Sequence, residues 1–151
     1  VRELIKRKKI NLKNKIGNKT IGEIILKPTK IYVKEILELK KKINIKAIAH
    51  ITGGGLTGNL ERIIPKNMKI TLFKNTLFNF HKKLFLMLKK ASNLSDIEML
   101  ETFNCGNGMV LVVTKDDLNR TEKYLMKLKL SYKVIGQFSA LKKGDTKITI
   151  E

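Results

Sequence analysis

The chain has 151 residues, 42% of them hydrophobic, which suits one compact domain. Lysine interrupts every apolar stretch before it reaches the roughly 18 residues that a membrane span requires. Its formal net charge is +19, yet only four of the 32 basic residues are arginine, aromatics make up 6% and tryptophan is absent, which argues against specific nucleic-acid binding. A single cysteine and two histidines exclude an intramolecular disulfide and a cysteine–histidine zinc site, so we expect a cytoplasmic protein with no metal site of its own.

In chain order, the residue pattern predicts the end of a helix over residues 1–9 and a glycine-containing loop over 13–22. A clear helix follows over 29–42, with Thr29 as its N-cap. A strand over 46–51 then leads into three consecutive glycines, and a helix over 56–64 ends before Pro65. The order strand, glycine turn, helix makes this the part of the chain with the strongest functional pattern.

The second half predicts a strand over 68–73 and helices over 80–91 and 95–101, the latter with Ser95 and Glu98 as a capping box. The remaining predicted elements are a strand over 109–114, a helix over 116–128 with acidic residues in its first turn, and strands over 132–139 and 147–150. Strands and helices alternate without a strict repeat. This mixture favours an α+β sandwich over a doubly wound parallel sheet.

The glycine run at residues 53–55 permits two interpretations. Without Cβ atoms, the backbone amides of the turn lie open to a phosphate, and a helix starting at Leu56 adds the positive end of its dipole. Thr52 offers a hydroxyl to the same site, and Arg62 offers a charged fork. The alternative is a tight turn in which backbone packs against backbone, and the glycines alone do not decide between the two.

Three further side chains are candidates for chemistry. His50 lies near the glycines as a possible base, but we favour a structural role in which it fixes the strand end by hydrogen bonding. Cys105 is either a reactive thiol or a small buried residue in a tight turn, and we favour the latter because no neighbouring base lowers its pKa. His81 is placed on an exposed helix face and has no predicted role.

Four sequence blocks resemble a known enzyme family in their order and spacing. They are LKPTKIYVKEIL at 26–37, AIAHITGGG at 47–55, NLERIIP at 59–65 and TFNCGNGM at 102–109. These blocks are similar to those of aminoimidazole ribonucleotide synthetase, also called phosphoribosylformylglycinamidine cyclo-ligase. The resemblance covers nearly the whole chain, with looser agreement over 66–94 and 115–133. It implies a layered α/β/α sandwich around a mixed sheet, the C-terminal domain of a two-domain enzyme.

The resemblance also implies an activity. The family uses ATP, with Mg²⁺, to cyclise formylglycinamidine ribonucleotide to aminoimidazole ribonucleotide in purine biosynthesis, as a homodimer. An N-terminal nucleotide-binding domain supplies most ATP and magnesium contacts, and the sequence here begins after it. Residues 1–151 are therefore expected to form a single C-terminal domain that does not cyclise substrate alone.

Site residues follow from the resemblance position by position. Substrate or phosphate binding is implied for Thr52, Gly53, Gly54, Gly55, Asn59, Arg62, Thr29 and Lys30. Supporting roles are implied for His50, Asn104, Cys105 and Gly106. The chain departs from the family pattern at Lys30, in place of arginine, and at Gly58, Glu61 and Asn107.

Two competing hypotheses stay open at this point. The first is a basic module without catalysis that binds nucleic acid or another anion. The second is a degenerate remnant, suggested by the departures at Lys30, Gly58 and Asn107. Lys, Ile and Asn are abundant in the chain, and all three have AT-rich codons. We therefore attribute the positive charge to genome composition rather than to a partner.

Overall fold

The computed structural model describes residues 1–78 and 82–151, so His81 and the first residues of the predicted helix over 80–91 lie outside the described part. Helices in this part are α1 Arg2–Lys6, α2 Ile21–Ile25, α3 Val33–Lys40, α4 Gly55–Glu61, α5 Lys74–Leu77, α6 Lys82–Ser92, α7 Asp96–Thr102 and α8 Lys115–Lys127. Strands are β1 Lys15–Ile16, β2 Lys19–Thr20, β3 Ala47–His50, β4 Met68–Leu72, β5 Met109–Val112, β6 Gly136–Ala140 and β7 Ile148–Ile150.

The strands form three small sheets. β1 and β2 make an antiparallel hairpin, and β3 pairs antiparallel with β5 from Ala47 opposite Val112 to His50 opposite Met109. In the third sheet, β4 is central, antiparallel to β6 and parallel to β7. The predicted mixture of helices and strands is therefore confirmed, and its largest sheet is mixed in direction.

The elements pack around one hydrophobic cluster. Six of its most buried side chains come from α4, β4, α5 and α7, and they are Leu56, Leu60, Leu72, Leu77, Met99 and Leu100, each at most 1% exposed. Burying side chains of this size contributes about 1.5–3 kcal/mol each relative to exposure. Two of the six lie on α4, so the helix that follows the glycine run is firmly held.

Local sequence signals placed several helix ends correctly. Ser95 and Glu98 form the predicted capping box at α7, with the Ser95 amide donating to the Glu98 carboxylate at 2.7 Å. The first turn of α8 carries the expected acidic residues Asp116 and Asp117, and the hydroxyl of Thr114 accepts from the Asp117 amide at 3.3 Å. These contacts span four residues or fewer, which is why sequence alone reveals them.

Two local predictions were wrong. The predicted loop over 13–22 contains the β1–β2 hairpin, whose turn uses Gly17 at φ +63°, and the start of α2. Thr29 does not cap a helix: α3 begins four residues later, and Tyr32 is its N-cap without a side-chain bond. The chain stays non-helical over 29–32 because Tyr32 packs against a different part of the fold, described below.

Candidate functional site

The glycine run lies where β3 passes into α4. Ile51 is 3% exposed and its amide donates to the Gly108 carbonyl at 3.0 Å, which fixes the end of the strand. The next three residues, Thr52, Gly53 and Gly54, are exposed, and α4 starts at Gly55. We call residues 52–55 the glycine loop.

The two interpretations that the sequence left open apply to different glycines of the loop. Gly55 has φ +65°, and a Cβ there would overlap the carbonyl oxygen of Leu100 and the backbone of Glu101. Gly55 is thus required by backbone packing against the end of α7. A Cβ on Gly53 or Gly54 would meet nothing within 4 Å, so these two face open space.

The side chain of Asn59 donates hydrogen bonds to two carbonyls of the loop. Asn59 is 5% exposed, and its Nδ2 donates to the Gly55 carbonyl at 2.7 Å and to the Gly53 carbonyl at 3.1 Å. These bonds turn two loop carbonyls towards α4. In the described part of the chain, the amide nitrogens of Gly53 and Gly54 donate no hydrogen bond, so they are available to an acceptor from outside.

A second anchor joins the loop to the TFNCGNGM block. The Leu56 amide donates to the Phe103 carbonyl at 3.1 Å, and Leu56 itself is fully buried. The loop therefore has fixed points at both ends, through Ile51 and Leu56, and a clamp in the middle. It is a preformed backbone segment, which lowers the ordering cost of binding a ligand.

Tyr32 brings the PTKIYVK block to the same place. Its hydroxyl occupies the space that a Cβ on Gly108 would need, and its ring meets His50 edge-on with centroids 6.1 Å apart. The ammonium of Lys30 lies 5.4 Å from the centroid of the Tyr32 ring, and 3.9 Å from the carboxylate of Glu35. Burial, and then the charge of Glu35, raise the pKa of Tyr32 above its usual value.

Tyr32 was not among the site residues predicted from the sequence. Its position in the block that resembles the family was the available signal, but no local pattern indicated that it packs on Gly108, 76 residues later in the sequence. His50 is exposed, and in the described part its ring contacts Tyr32 in place of the hydrogen bond that we expected.

Two predicted site residues lie farther out. Thr29 is exposed in the segment before α3. Arg62 is also exposed and follows the last residue of α4, so roughly 10 Å of helix separates it from the glycine loop at 1.5 Å per residue. Contacts of both residues with a ligand stay predictions.

The turn at 104–107 is held by a local hydrogen bond and by the burial of Cys105. The Asn104 Oδ1 accepts from the Gly106 amide at 3.0 Å, and Cys105 adopts φ +48°. Cys105 is fully buried with its Sγ 3.5 Å from the Met99 carbonyl, and burial raises its pKa to about 12, followed by a contribution from Asp96. A thiol with so high a pKa is unreactive at neutral pH, in line with the structural role that we favoured.

The departure from the family pattern at Asn107 has a structural use. Asn107 is 6% exposed, and its Nδ2 donates to the Leu77 carbonyl at 3.0 Å and to the Asn104 carbonyl at 3.2 Å. The side chain ties the last residue of α5 to the turn. Gly58, another departure, has open space where a Cβ would lie, and nothing in the structure explains the glycine.

Two kinds of feature are absent from the described residues. Residues 1–78 and 82–151 contain no group of three or more His, Cys, Asp or Glu side chains placed to hold a metal ion. The same residues include no helix with both the length and the apolar character needed to cross a membrane.

Comparison with known proteins assigns the chain to a family. Residues 1–148 match the family model described as AIR synthase related protein, C-terminal domain. The chain is 43% identical over 128 residues to the phosphoribosylformylglycinamidine cyclo-ligase of Caldicellulosiruptor saccharolyticus, covering 85% of this chain and 36% of the relative. It is 38% identical over 137 residues to the protein of that name from Acetivibrio thermocellus, covering 91% of this chain and 40% of the relative.

A relative with a longer architecture also matches. The trifunctional purine biosynthetic protein adenosine-3 of Gallus gallus is 35% identical over 153 residues, covering 99% of this chain and 15% of that protein. The chain thus spans about two fifths of the single-activity relatives and a smaller part of the trifunctional one. With nearly every residue inside the family match, the chain belongs to the AIR synthase related proteins, as their C-terminal domain.

Proposed function

We propose that this chain is the C-terminal domain of an ATP-dependent ligase that cyclises formylglycinamidine ribonucleotide to aminoimidazole ribonucleotide in purine biosynthesis. The observation that carries the proposal is the preformed glycine loop in a chain whose relatives bear the name of that cyclo-ligase. Ring closure needs an oriented substrate and stabilised charge more than a protein nucleophile, and a rigid loop with open amides supplies both.

In this proposal, the glycine loop binds a phosphate, either that of the substrate or the one transferred. Support comes from the open space at Gly53 and Gly54 and from their undonated amides in the described part of the chain. Lys30 approaches from the Tyr32 side, and Thr52 offers its hydroxyl. Thr29 and Arg62 contact the more distant end of an extended ribonucleotide, and Asn59 belongs to the site through the loop carbonyls that it holds.

ATP supplies the phosphoryl group that turns the formyl oxygen of the substrate into a leaving group. The residues of this chain orient the ribonucleotide and offset negative charge at the loop and at Lys30. Since the described residues lack a carboxylate cluster, we assign Mg²⁺ and most ATP contacts to the N-terminal domain of the full enzyme. We further propose a homodimer, a cytoplasmic location, completion of the layered α/β/α sandwich in that enzyme, and an AT-rich genome as the origin of the lysine content.

Gly54 offers a test with an internal control. Gly54 and Gly144 both have φ +90° and open space at the Cβ position, so alanine imposes the same backbone strain at each. In the full-length enzyme, Gly54→Ala is expected to lower kcat/KM for cyclisation by about 10-fold or more, as loss of a positioned phosphate contact implies, while Gly144→Ala leaves it unchanged. Equal effects of the two substitutions would contradict a phosphate role for the loop.

The formal net charge of +19 favours one second candidate, a basic module that binds polyanions without catalysis. The two candidates differ in salt dependence and specificity. Binding that follows only polyanion length and ionic strength, and that is indifferent to Gly54→Ala, would select the module. Product formation by the isolated 151-residue chain would refute the assignment of the ATP contacts to another domain.

A further inference from the structure

Helix α3 has a wide apolar arc that this domain covers only in part. At 100° per residue, Leu39, Ile36, Val33 and Leu37 lie within about 160° of the helix circumference, and the only polar residue of α3 inside that arc is Lys40, in its last turn. Leu39, at one edge of the arc, is 1% exposed, whereas Val33 and Leu37, at the other edge, are 63% and 56% exposed. The domain therefore covers one edge of the arc and leaves the other edge in solvent.

The residues before α3 extend the same character. Leu26 is 82% exposed and Ile31 is 78% exposed, the two highest values among the large apolar side chains of the described residues. Ten such side chains are exposed in that part of the chain, and four of them fall within residues 26–37. We call Leu26, Ile31, Val33 and Leu37 the α3 surface. Apolar side chains concentrated in this way on a folded domain mark an interaction site.

We propose that the α3 surface docks against the remaining part of the full-length enzyme, through an apolar face edged with carboxylates. The inference rests on the proposed function, because that function requires a second domain. The chain accounts for 36% and 40% of the two single-activity relatives, so most of such an enzyme is available to cover this surface. An apolar centre with a charged edge is the common composition of a protein interface.

The α3 surface includes the sequence neighbour of Tyr32, the residue that contacts the strand before the glycine loop. Ile31 lies between Lys30, whose ammonium is over the Tyr32 ring, and Tyr32 itself, which contacts His50 and Gly108. A domain docked on Ile31 therefore reaches the edge of the candidate site. Docking there closes the side of the site that faces solvent in this chain.

The positive charge around the α3 surface favours a partner face with negative charge. Lys27, Lys30, Lys34 and Lys40 are all exposed beside the α3 surface, and within residues 1–78 and 82–151 only Lys30 has a carboxylate within 4.0 Å. Residues 27–42 contain six lysines and two glutamates, Glu35 and Glu38, so a second copy of this chain would bring a like net charge against the surface, which opposes pairing. A face edged with Asp and Glu is complementary in charge.

Carbene footprinting of the full-length enzyme, without substrate, tests the docking. Two apolar residues on other helices, Ile97 and Met126, serve as references because they are 58% and 57% exposed in the chain. Relative to the isolated chain, labelling of the α3 surface is expected to fall about five-fold in the full-length enzyme, as burial at an interface core implies. Labelling that does not fall would overturn the proposal.

Two variants separate docking from other causes. Leu37→Lys in the full-length enzyme is expected to restore labelling of Ile31 and Val33, and Ile97→Lys is expected to leave it low. Protection that appears in the isolated chain and grows with its concentration would mean a second copy, and would also overturn the proposal. Because the footprint needs no turnover, a protected surface in an enzyme without cyclisation activity would refute the proposed function and leave the docking intact.

Discussion

Asn59→Ala removes the clamp that holds the glycine loop. Losing the buried 2.7 Å bond to the Gly55 carbonyl costs about 0.5–1.5 kcal/mol, the net value of one hydrogen bond, because Gly55 is the first residue of α4 and its carbonyl also belongs to the helical ladder. The Gly53 carbonyl, part-buried and bonded at 3.1 Å, regains water and costs about 1 kcal/mol or less. We therefore expect the free energy of unfolding to fall by about 1–2 kcal/mol, which lowers the Tm by roughly 2–8 °C for a domain of this size.

Asn59→Asp keeps the shape of the side chain and replaces the donor with a carboxylate. At neutral pH, that carboxylate faces the two loop carbonyls in a buried position, so the loss of stability should exceed that of the alanine variant. Burial and the facing carbonyls raise the pKa of the new carboxyl in the folded state. The folded variant then binds the extra proton, and the loss is expected to shrink as pH falls towards about 4.

Thermal unfolding of the 151-residue chain, followed by circular dichroism, measures both variants against Asn44→Ala. Asn44 is exposed in the loop before β3, and its replacement should stay within about 0.5 kcal/mol of the wild type. Hydrogen exchange at the Leu56 amide, bonded to Phe103, should accelerate in the Asn59 variants. An Asn59→Ala chain as stable as the Asn44 control would refute the idea that this side chain holds the loop.

The remaining predictions also concern the chain itself. Gly55→Ala should cost at least about 3 kcal/mol in chemical unfolding, because the Cβ meets backbone, while Gly53→Ala should be near neutral. With its pKa raised to about 12, Cys105 should react with a thiol reagent only when the chain unfolds. The stability that this pKa shift contributes is fully present below about pH 8.5 and is lost as the pH rises towards 12. Hydrogen bonds to Ser95 lower the pKa of Glu98, and those to Lys69 and Lys142 lower that of Asp145, so both add stability above about pH 4 that is lost at lower pH. Glu98→Gln and Asp145→Asn should reduce the drop in urea midpoint between pH 7 and pH 3.

Sequence predicted those parts of the fold that short-range contacts determine. The capping box of Ser95 and Glu98 and the acidic first turn of α8 are complete within four residues. The strand of residues 46–51 was placed within one residue at each end, as Ala47–His50, because its apolar run stops at the glycines. Strong local patterns of this kind compete with few alternatives.

Contacts between distant residues account for the failures. Thr29 has the composition of an N-cap, but the packing of Tyr32 on Gly108 delays the start of α3 to Val33. The different roles of Gly53 and Gly55 depend in part on α7, some 45 residues later, because a Cβ at Gly55 would overlap the backbone of Leu100 and Glu101 whereas a Cβ at Gly53 would meet nothing within 4 Å. No window of local sequence contains that information.

The same distant contacts explain why the blocks that resemble the family occur together. Tyr32 from the first block packs against His50 of the second and Gly108 of the last, while Asn59 of the third clamps the loop of the second. Each block thus supplies one support of a single backbone segment, and the loss of any one would leave the loop less defined. Lys30, which stands where the family has arginine, keeps a cation 5.4 Å from the centroid of the Tyr32 ring, a contact that needs a positive charge rather than a bidentate fork.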